Sequence, residues 1–373
     1  MAITRAFKNG VNYDDFNALK HPVFQNGSMD ICQRPTSVTG ITTEQKLTDR
    51  WSLNIGSSGT FTFTVGTGPG TFGLNKCIKL DCTSANASGS DSDANMYITI
   101  PLEGQDVQLF RKGTSDAKAF TVSFFVKSNK TGTGIVEIWD RDNDRILSKT
   151  YTIDSADTWE RKCINYTMET SNALDNDNAK SLMVGWWIES GADFDGGTLG
   201  TSWADRVNAN RAVGQTLNIA SSTDNEFLLT GCMMVPGTFT TETIPDFVNE
   251  TFAENLARCQ RYCFLMKAST TYTRYTHGIA NSTEQAEGVV SLPVAMRAGP
   301  TLTTSGTAAE FACGDGAALV NCDAVPIVGN ASTVNPCFQD VFWPTAGSLT
   351  QTEPYALQGG NNTNTFLRFE SEI

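Results

Sequence analysis

Phe120-Thr121-Val122-Ser123-Phe124-Phe125-Val126-Lys127 decides the fold. Phe120, Val122, Phe124 and Val126 fall on one side of an extended chain, while Thr121, Ser123 and Lys127 fall on the other, the period of two expected of a half-buried β-strand. Runs of the same kind occur at residues 60–65, 76–82, 96–100, 134–139, 146–153, 161–168, 182–188, 216–219 and 227–235, parted by Gly, Asn, Asp and Ser clusters. Short strands at turn-sized intervals, with no helices between them, predict an antiparallel two-sheet sandwich, of which the jelly roll is the common form at this size. The fold class expected is therefore mainly β: a jelly roll over residues 47–245, one central helix at 246–267, and a smaller C-terminal β-domain at 268–373. Frequent prolines between Pro293 and Pro354 exclude long central strands from that last part.

A chain of 373 residues with 40% hydrophobic and 10% aromatic content is long enough for two domains and apolar enough to fill two cores. Forty acidic residues against 27 basic ones give a formal charge of −13. Without a basic run to offset it, that charge disfavours a grip on phosphate, so no nucleic-acid partner is expected. No apolar run approaches the length of a membrane span, so no membrane partner is expected either. Residues 1–8 lack the apolar stretch of a secretory leader. Ten cysteines in 373 residues fall far below the density of a disulfide scaffold, which predicts cytoplasmic folding with free, reduced thiols.

The exception to the β pattern is residues 251–267, where Phe252, Leu256, Cys259, Cys263 and Met266 advance by 4, 3, 4 and 3, the step of a coiled-coil seam. A helix with so narrow a stripe buries it either on its own sandwich or against symmetry mates. Upstream, residues 1–46 carry Phe7, Tyr13 and Phe16 among polar residues without a clean period, as an arm does; it docks on another protein or folds back on the sandwich.

The wording of the helix bears on that choice. Asn255-Leu256-Ala257-Arg258-Cys259-Gln260-Arg261-Tyr262-Cys263 resembles a signature of phage tail-fibre and virion-surface proteins, in which a Glu-Leu-x-x-Cys-Gln-Arg-Tyr-Tyr helix follows a carbohydrate-binding-like β-sandwich. Asn26-Gly27-Ser28-Met29-Asp30-Ile31-Cys32-Gln33-Arg34, with Thr48-Asp49-Arg50-Trp51, is similar to that family's opening. Leu292-Pro293-Val294-Ala295-Met296-Arg297-Ala298-Gly299-Pro300-Thr301 and the closing Phe369-Glu370-Ser371-Glu372-Ile373 are similar to its later motifs. Cys32, Cys263 and Asn255 depart from the family's usual Trp, Tyr and Glu. The resemblance implies a virion structural protein without enzymatic activity: a homotrimeric tail fibre or tail-associated receptor-binding protein on the virion surface. A capsid decoration or head-fibre protein of the same fold is the alternative, and a fibre-borne polysaccharide depolymerase a third. The expected partners are two further copies through the seam, another virion protein through Phe7, Tyr13 and Phe16, and a host surface glycan.

No catalytic or cofactor-binding residue stands out. Neither His21 nor His277 lies near a Gly-x-Ser-x-Gly elbow, and no glycine-rich phosphate cradle precedes a helix. Forty acidic residues nevertheless leave a carboxylate pair for glycan hydrolysis open. Asp140-Arg141-Asp142-Asn143-Asp144 places Arg145 and Tyr151 where a calcium loop needs Gly and Glu, so it is a hairpin tip. A calcium ion shared by such acidic loops stays open, since carbohydrate-binding jelly rolls often use one. Of the adjacent Trp186 and Trp187, one must point into the sandwich and the other outward. Trp203, Tyr272, Tyr275, Trp343 and Tyr355 are the candidate glycan contacts.

Overall fold

The computed structural model describes residues 22–86, 91–329 and 336–373. Phe7, Tyr13 and Phe16 lie outside the described residues. The chain divides into two compact units, the first ending at Asn255 and the second spanning Leu256–Glu372.

The first unit is a jelly-roll sandwich. Its strands are β1 Ser37–Ile41, β2 Gln45–Lys46, β3 Ser52–Gly56, β4 Thr60–Thr67, β5 Lys76–Ser84, β6 Asn95–Glu103 and β7 Ala119–Ser128. They continue with β8 Gly132–Asp140, β9 Arg145–Ile153, β10 Glu160–Thr167, β11 Lys180–Ser190, β12 Ala204–Asp205 and β13 Glu226–Pro236. One sheet runs β1-β4-β5-β13-β7-β10 and the other β12-β9-β8-β11-β6-β3-β2. Residues 216–219 form no strand; a short helical turn, Ile219–Ser221, stands there instead.

The alternation in β7 does what its sequence predicts: Phe120, Val122, Phe124 and Val126 are wholly buried between the sheets. They meet Trp186 of β11 and Tyr151 of β9, with Phe124 edge-on to both at 5.8 and 5.1 Å. Strand β7 is nevertheless buried on both faces. Leu74, Phe125, Met233, Val235, Ile244 and Phe247 form a second apolar layer on the outside of the sheet, because the chain after β13 returns across it. There Thr121 Oγ1 donates to the Gly237 carbonyl at 2.8 Å. The opposite sheet is covered in the same manner. Trp186 points inward and Trp187 outward, yet both are fully buried, since Phe194 and Ala212, from the connection between β11 and β13, close over Trp187 and Tyr97.

The expected arm at 1–46 gives way to the sandwich at Val23. Val23 and Phe24 enter the main core, where Phe24 meets Trp51 and Trp186 at 6.1 and 5.9 Å. Asn26, at φ 54°, is the hub of this entry. Its amide accepts from Ile31 N at 2.9 Å and donates to the Ile31 and Asp49 carbonyls at 2.8 and 3.0 Å. Asp49 in turn accepts from Gln33 N at 2.9 Å and pairs with Arg34 at 3.6 Å, and both Asp49 and Arg34 are buried. Gly27 is required here by close approach, as a Cβ would lie 2.2 Å from the Cys232 carbonyl oxygen.

The helix expected over 246–267 is only Phe252–Gln260. Thr251 and Glu254 open it with reciprocal side chain to backbone bonds, a Thr-x-x-Glu box that the seam pattern had obscured. Its continuation, Tyr-Cys-Phe-Leu-Met, mixes strand formers (Tyr, Phe) with helix formers (Leu, Met), and the pairing with the last strand decides for β14 Cys263–Lys267. Cys263 and Met266 therefore leave the helical seam and, three apart in a strand, point to opposite faces. Cys259 and Cys263 are wholly buried, whereas Phe252 is 67% exposed.

The second unit, which starts inside the helix rather than at 268, is also antiparallel β. It continues with β15 Arg274–Ala280, β16 Gln285–Ser291, β17 Thr301–Thr304, β18 Phe311–Gly314, β19 Leu319–Asn321, β20 Ile327–Val328, β21 Phe338–Pro344, β22 Pro354–Gly359 and β23 Phe366–Glu370. Sheet β14-β23-β17 packs with sheet β19-β18-β22-β15-β16-β21-β20 around Phe311, Trp343, Leu357, Leu367 and Phe369. Arg297 ties the motifs of this unit together. Its Nε donates to the Ser371 carbonyl and its backbone N to the Arg261 carbonyl, both at 2.9 Å, while Ser371 N donates to the Tyr262 carbonyl at 2.9 Å.

Candidate functional site

The expected glycan contacts separate according to the strand face on which each falls. Tyr275 and Tyr355 point inward from β15 and β22; the Tyr275 hydroxyl donates to Thr365 Oγ1 at 2.8 Å, and that of Tyr355 accepts from Thr350 N at 3.0 Å. Trp343 is wholly buried against Phe311. These three are core residues, and as glycan contacts they are corrected: alternation along their strands sends them between the sheets. Trp203 in the first unit is also buried, its Nε1 donating to the Thr167 carbonyl at 2.8 Å and Lys112 Nζ lying 5.0 Å from its ring centroid. It does border a shallow cleft of about 280 Å³ with Lys149 and Glu169.

Tyr272 alone of the five is exposed, at 43%. It precedes β15 in a turn closed by Thr273 Oγ1 donating to the Thr270 carbonyl at 2.8 Å, and its own N donates to Gly360 O at 3.0 Å. Its φ of 59° is left-handed, a costly conformation for a bulky side chain and one found at binding sites more often than elsewhere. The turn sets Tyr272 at the rim of an open groove of about 450 Å³.

The cross-strand register explains the groove. Gly314 lies opposite Leu319 and Ala356, and Ala312 opposite Gln358, which in turn faces Arg274. Small residues at 312, 314 and 356 leave a depression between the taller Leu319 on one side and Arg274 and Tyr272 on the other. A Cβ at Gly314 would come within 3.0 Å of Leu319 and 3.4 Å of the Gln358 amide. The end wall is the hairpin of residues 315–318. There the Asp315 carboxylate accepts from Ala317 N and Ala318 N at 2.8 and 2.7 Å, bonds that hold its pKa below the ordinary carboxylate value. Gly316, at φ +97°, supplies a backbone shape that other residues avoid.

Two polar side chains in this groove are uncommitted. Gln358 is 5% exposed, yet its amide has no hydrogen-bond partner among the described residues and opens onto the groove. Leaving such a group without a partner costs about 1–3 kcal/mol. Arg274 has no ion-pair partner among the described residues. The lining holds an aromatic ring, a guanidinium, a primary amide and small residues, with no carboxylate. It can stack a ring, donate and accept hydrogen bonds, and attract an anion; it lacks the carboxylate pair of glycoside hydrolysis. Nothing in the sequence marked Arg274, Gln358 or Gly314, which become neighbours only through the pairing of β15, β22 and β18.

The acidic tip 140–144 joins β8 to β9, and its first residue is spoken for: Asp140 is buried and pairs with Lys112 Nζ at 2.6 Å. Among the described residues no cluster of three or more His, Cys, Asp or Glu is disposed to hold a metal ion. Burial pushes the Cys32 thiol up to about 11 and the Cys77 thiol up to about 12, which makes these two poor nucleophiles.

No protein-family model and no curated protein matches this sequence. Among solved structures the chain is similar to the enzymatically active domain of tailspike protein 4 of bacteriophage CBA120, at 10% identity over 58% of this chain and 21% of that one, with a TM-score of 0.33. It is similar to a putative sugar binding protein of Bacteroides thetaiotaomicron at 13% identity, over 58% of this chain and 100% of that one, with a TM-score of 0.31. The CBM22-1-GH10 modules of Clostridium thermocellum endo-1,4-beta-D-xylanase 10B, complexed with xylohexaose, match at 13% identity over 58% and 28%, with a TM-score of 0.30. The match thus spans about a fifth of the tailspike chain. These likenesses concern the β architecture alone.

Proposed function

We propose that this chain is a glycan-binding protein of a phage virion surface, without catalytic activity of its own, that holds a saccharide in the Tyr272 groove. One observation carries the binding reading: an exposed aromatic ring, held in a left-handed turn, stands over a groove into which the nearly buried Gln358 presents an unmatched amide. Flat rings that stack on sugar faces and amides that pair with hydroxyls are what such recognition uses. The absence of a carboxylate from the lining favours binding over hydrolysis.

The virion assignment rests on the four motifs, in order, between residues 26 and 373. It carries with it a homotrimer, folded in the host cytoplasm and attached to the particle by the N-terminal residues, and Phe252, exposed at the first turn of its helix, supports an apolar contact there.

A glycan array followed by calorimetry on the full chain tests the binding. Tyr272→Ala is expected to weaken the best saccharide by roughly 30-fold, the loss of an aromatic hot spot of about 2 kcal/mol. Binding left intact by that variant, or no saccharide bound at all, would overturn the assignment of the groove. Native mass measurement tests assembly, and a stable monomer at micromolar concentration would sink the trimer.

A further inference from the structure

We propose that the saccharide is an acidic one, and that the groove recognises a sugar carboxylate through Arg274. The inference rests on the glycan reading above and narrows it to a substrate class. Arg274 is the one cation among the lining residues, and no acidic residue lines the groove with it. The nearest carboxylate in sequence, Asp315, is turned into its own hairpin by the two backbone N–H groups it accepts. In a chain of net charge −13, where lysines and arginines elsewhere on the surface commonly sit beside acids, a guanidinium with no ion-pair partner among the described residues, in a groove whose lining holds no carboxylate, is a local reversal of sign.

The neighbouring groups fit the same ligand. Two parallel N–H bonds from a guanidinium match the two oxygens of a carboxylate. Gln358 lies directly across the β15–β22 register from Arg274, so its amide reaches the same sugar residue, donating to a hydroxyl or ring oxygen and accepting from another hydroxyl. Gly314, Ala317 and Ala318, the small residues of the lining, leave room for a pyranose ring beside Tyr272.

The test uses the full chain and pairs of probes: oligogalacturonate, oligoglucuronate and oligosialate, each beside its carboxyl-reduced form, with affinity read by calorimetry. At least one acidic oligosaccharide is expected to bind tenfold or more tightly than its reduced partner. Arg274→Gln should abolish that preference while keeping weak binding of the reduced form. Arg274→Lys should retain part of it, since a point charge replaces the fork. The groove lies at the surface, so all variants should keep the wild-type circular dichroism. Equal binding of acidic and reduced forms, or a preference unchanged in Arg274→Gln, would overturn the acidic class while leaving the groove as a glycan site. Failure of every saccharide would remove both.

Discussion

Glu137→Gln is the sharpest test of how the first unit is held together. Glu137 is wholly buried on the outer face of β8 and receives both Arg211 Nε at 2.8 Å and Arg211 Nη2 at 2.9 Å, along with Trp187 Nε1 at 3.0 Å. Arg211, 4% exposed, is otherwise surrounded by Tyr97, Trp139, Trp187 and Phe194, with its guanidinium 4.8–5.9 Å from their ring centroids. Removing one member of a buried pair costs about 3–5 kcal/mol, because the remaining charge has no counter-ion and no water. The aromatic faces give back about 1 kcal/mol of that through cation–π attraction. The net expectation is a loss of about 2–4 kcal/mol, a large part of the ~5–15 kcal/mol that typically holds a domain. Six of the seven tryptophans, Trp343 excepted, lie in the first unit, so tryptophan fluorescence in a urea titration follows that unit. With a slope of ~1–3 kcal/mol/M, the midpoint should fall by about 0.7–4 M. The double variant Glu137→Leu with Arg211→Met should regain at least half of the loss, since both desolvation penalties vanish together, although the Trp187 N–H and the Tyr97 hydroxyl lose their partners. A single-variant cost below about 1 kcal/mol, or a double variant less stable than Glu137→Gln, would refute the reasoning.

Three further perturbations follow from buried polar groups. Asn26→Ala removes three hydrogen bonds and puts alanine at φ 54°, so the fluorescence transition should lose about 3–5 kcal/mol; a loss under 1 kcal/mol would count against the hub. Burial, then the Asp91 charge, raises the Glu189 carboxyl above its ordinary value, so the folded chain holds this proton to higher pH than the unfolded chain does. Stability should therefore fall as pH rises from the unfolded value to the raised one. Glu189→Gln should flatten that fall and be at least as stable as wild type at pH 7, and a steeper fall in the variant would contradict the assignment. Arg297→Ala should cost the second unit about 2–3 kcal/mol in far-ultraviolet circular dichroism melts, through its charged bonds to the chain end. Saccharide affinity per folded molecule should stay unchanged, and a selective loss of affinity would place Arg297 in recognition instead.

Most of the architecture was legible because it rests on a local signal. Alternation in residues 120–126 sets one face of β7, and every such run but 216–219 is a strand. What alternation cannot report is a second cover. Thr121, Ser123 and Trp187 belong to outward faces, and their burial depends on segments far along the chain folding back over them. The helix was over-read for a related reason. Steps of 4, 3, 4 and 3 also arise where a nine-residue helix runs into a strand, and the choice between them lies in the long-range pairing with β23. The glycan candidates were chosen by residue type, which selects aromatics for cores as readily as for surfaces. Tyr272 is exposed because it stands in a turn, outside the alternation that buries Tyr275 and Tyr355.

The motifs that carry the family resemblance do different work from the groove. Asn26, Gln33, Arg34 and Asp49 direct their side chains to one another and to backbone groups around the point where the chain enters the sandwich. Arg297 and Ser371 do the same for the strand ends of the second unit, with the backbone of Arg261 and Tyr262. Each such group satisfies a buried donor or acceptor that the strands leave over, and loss of any one leaves its partners unmatched in the interior. Residues under that constraint have little freedom to serve a ligand as well. The groove, by contrast, is assembled from a turn at 272, a hairpin tip at 315–318 and side chains at 274 and 358, none of which belongs to a motif. Its walls can be exchanged without disturbing the frame, which is the arrangement expected where a common scaffold must meet ligands that differ.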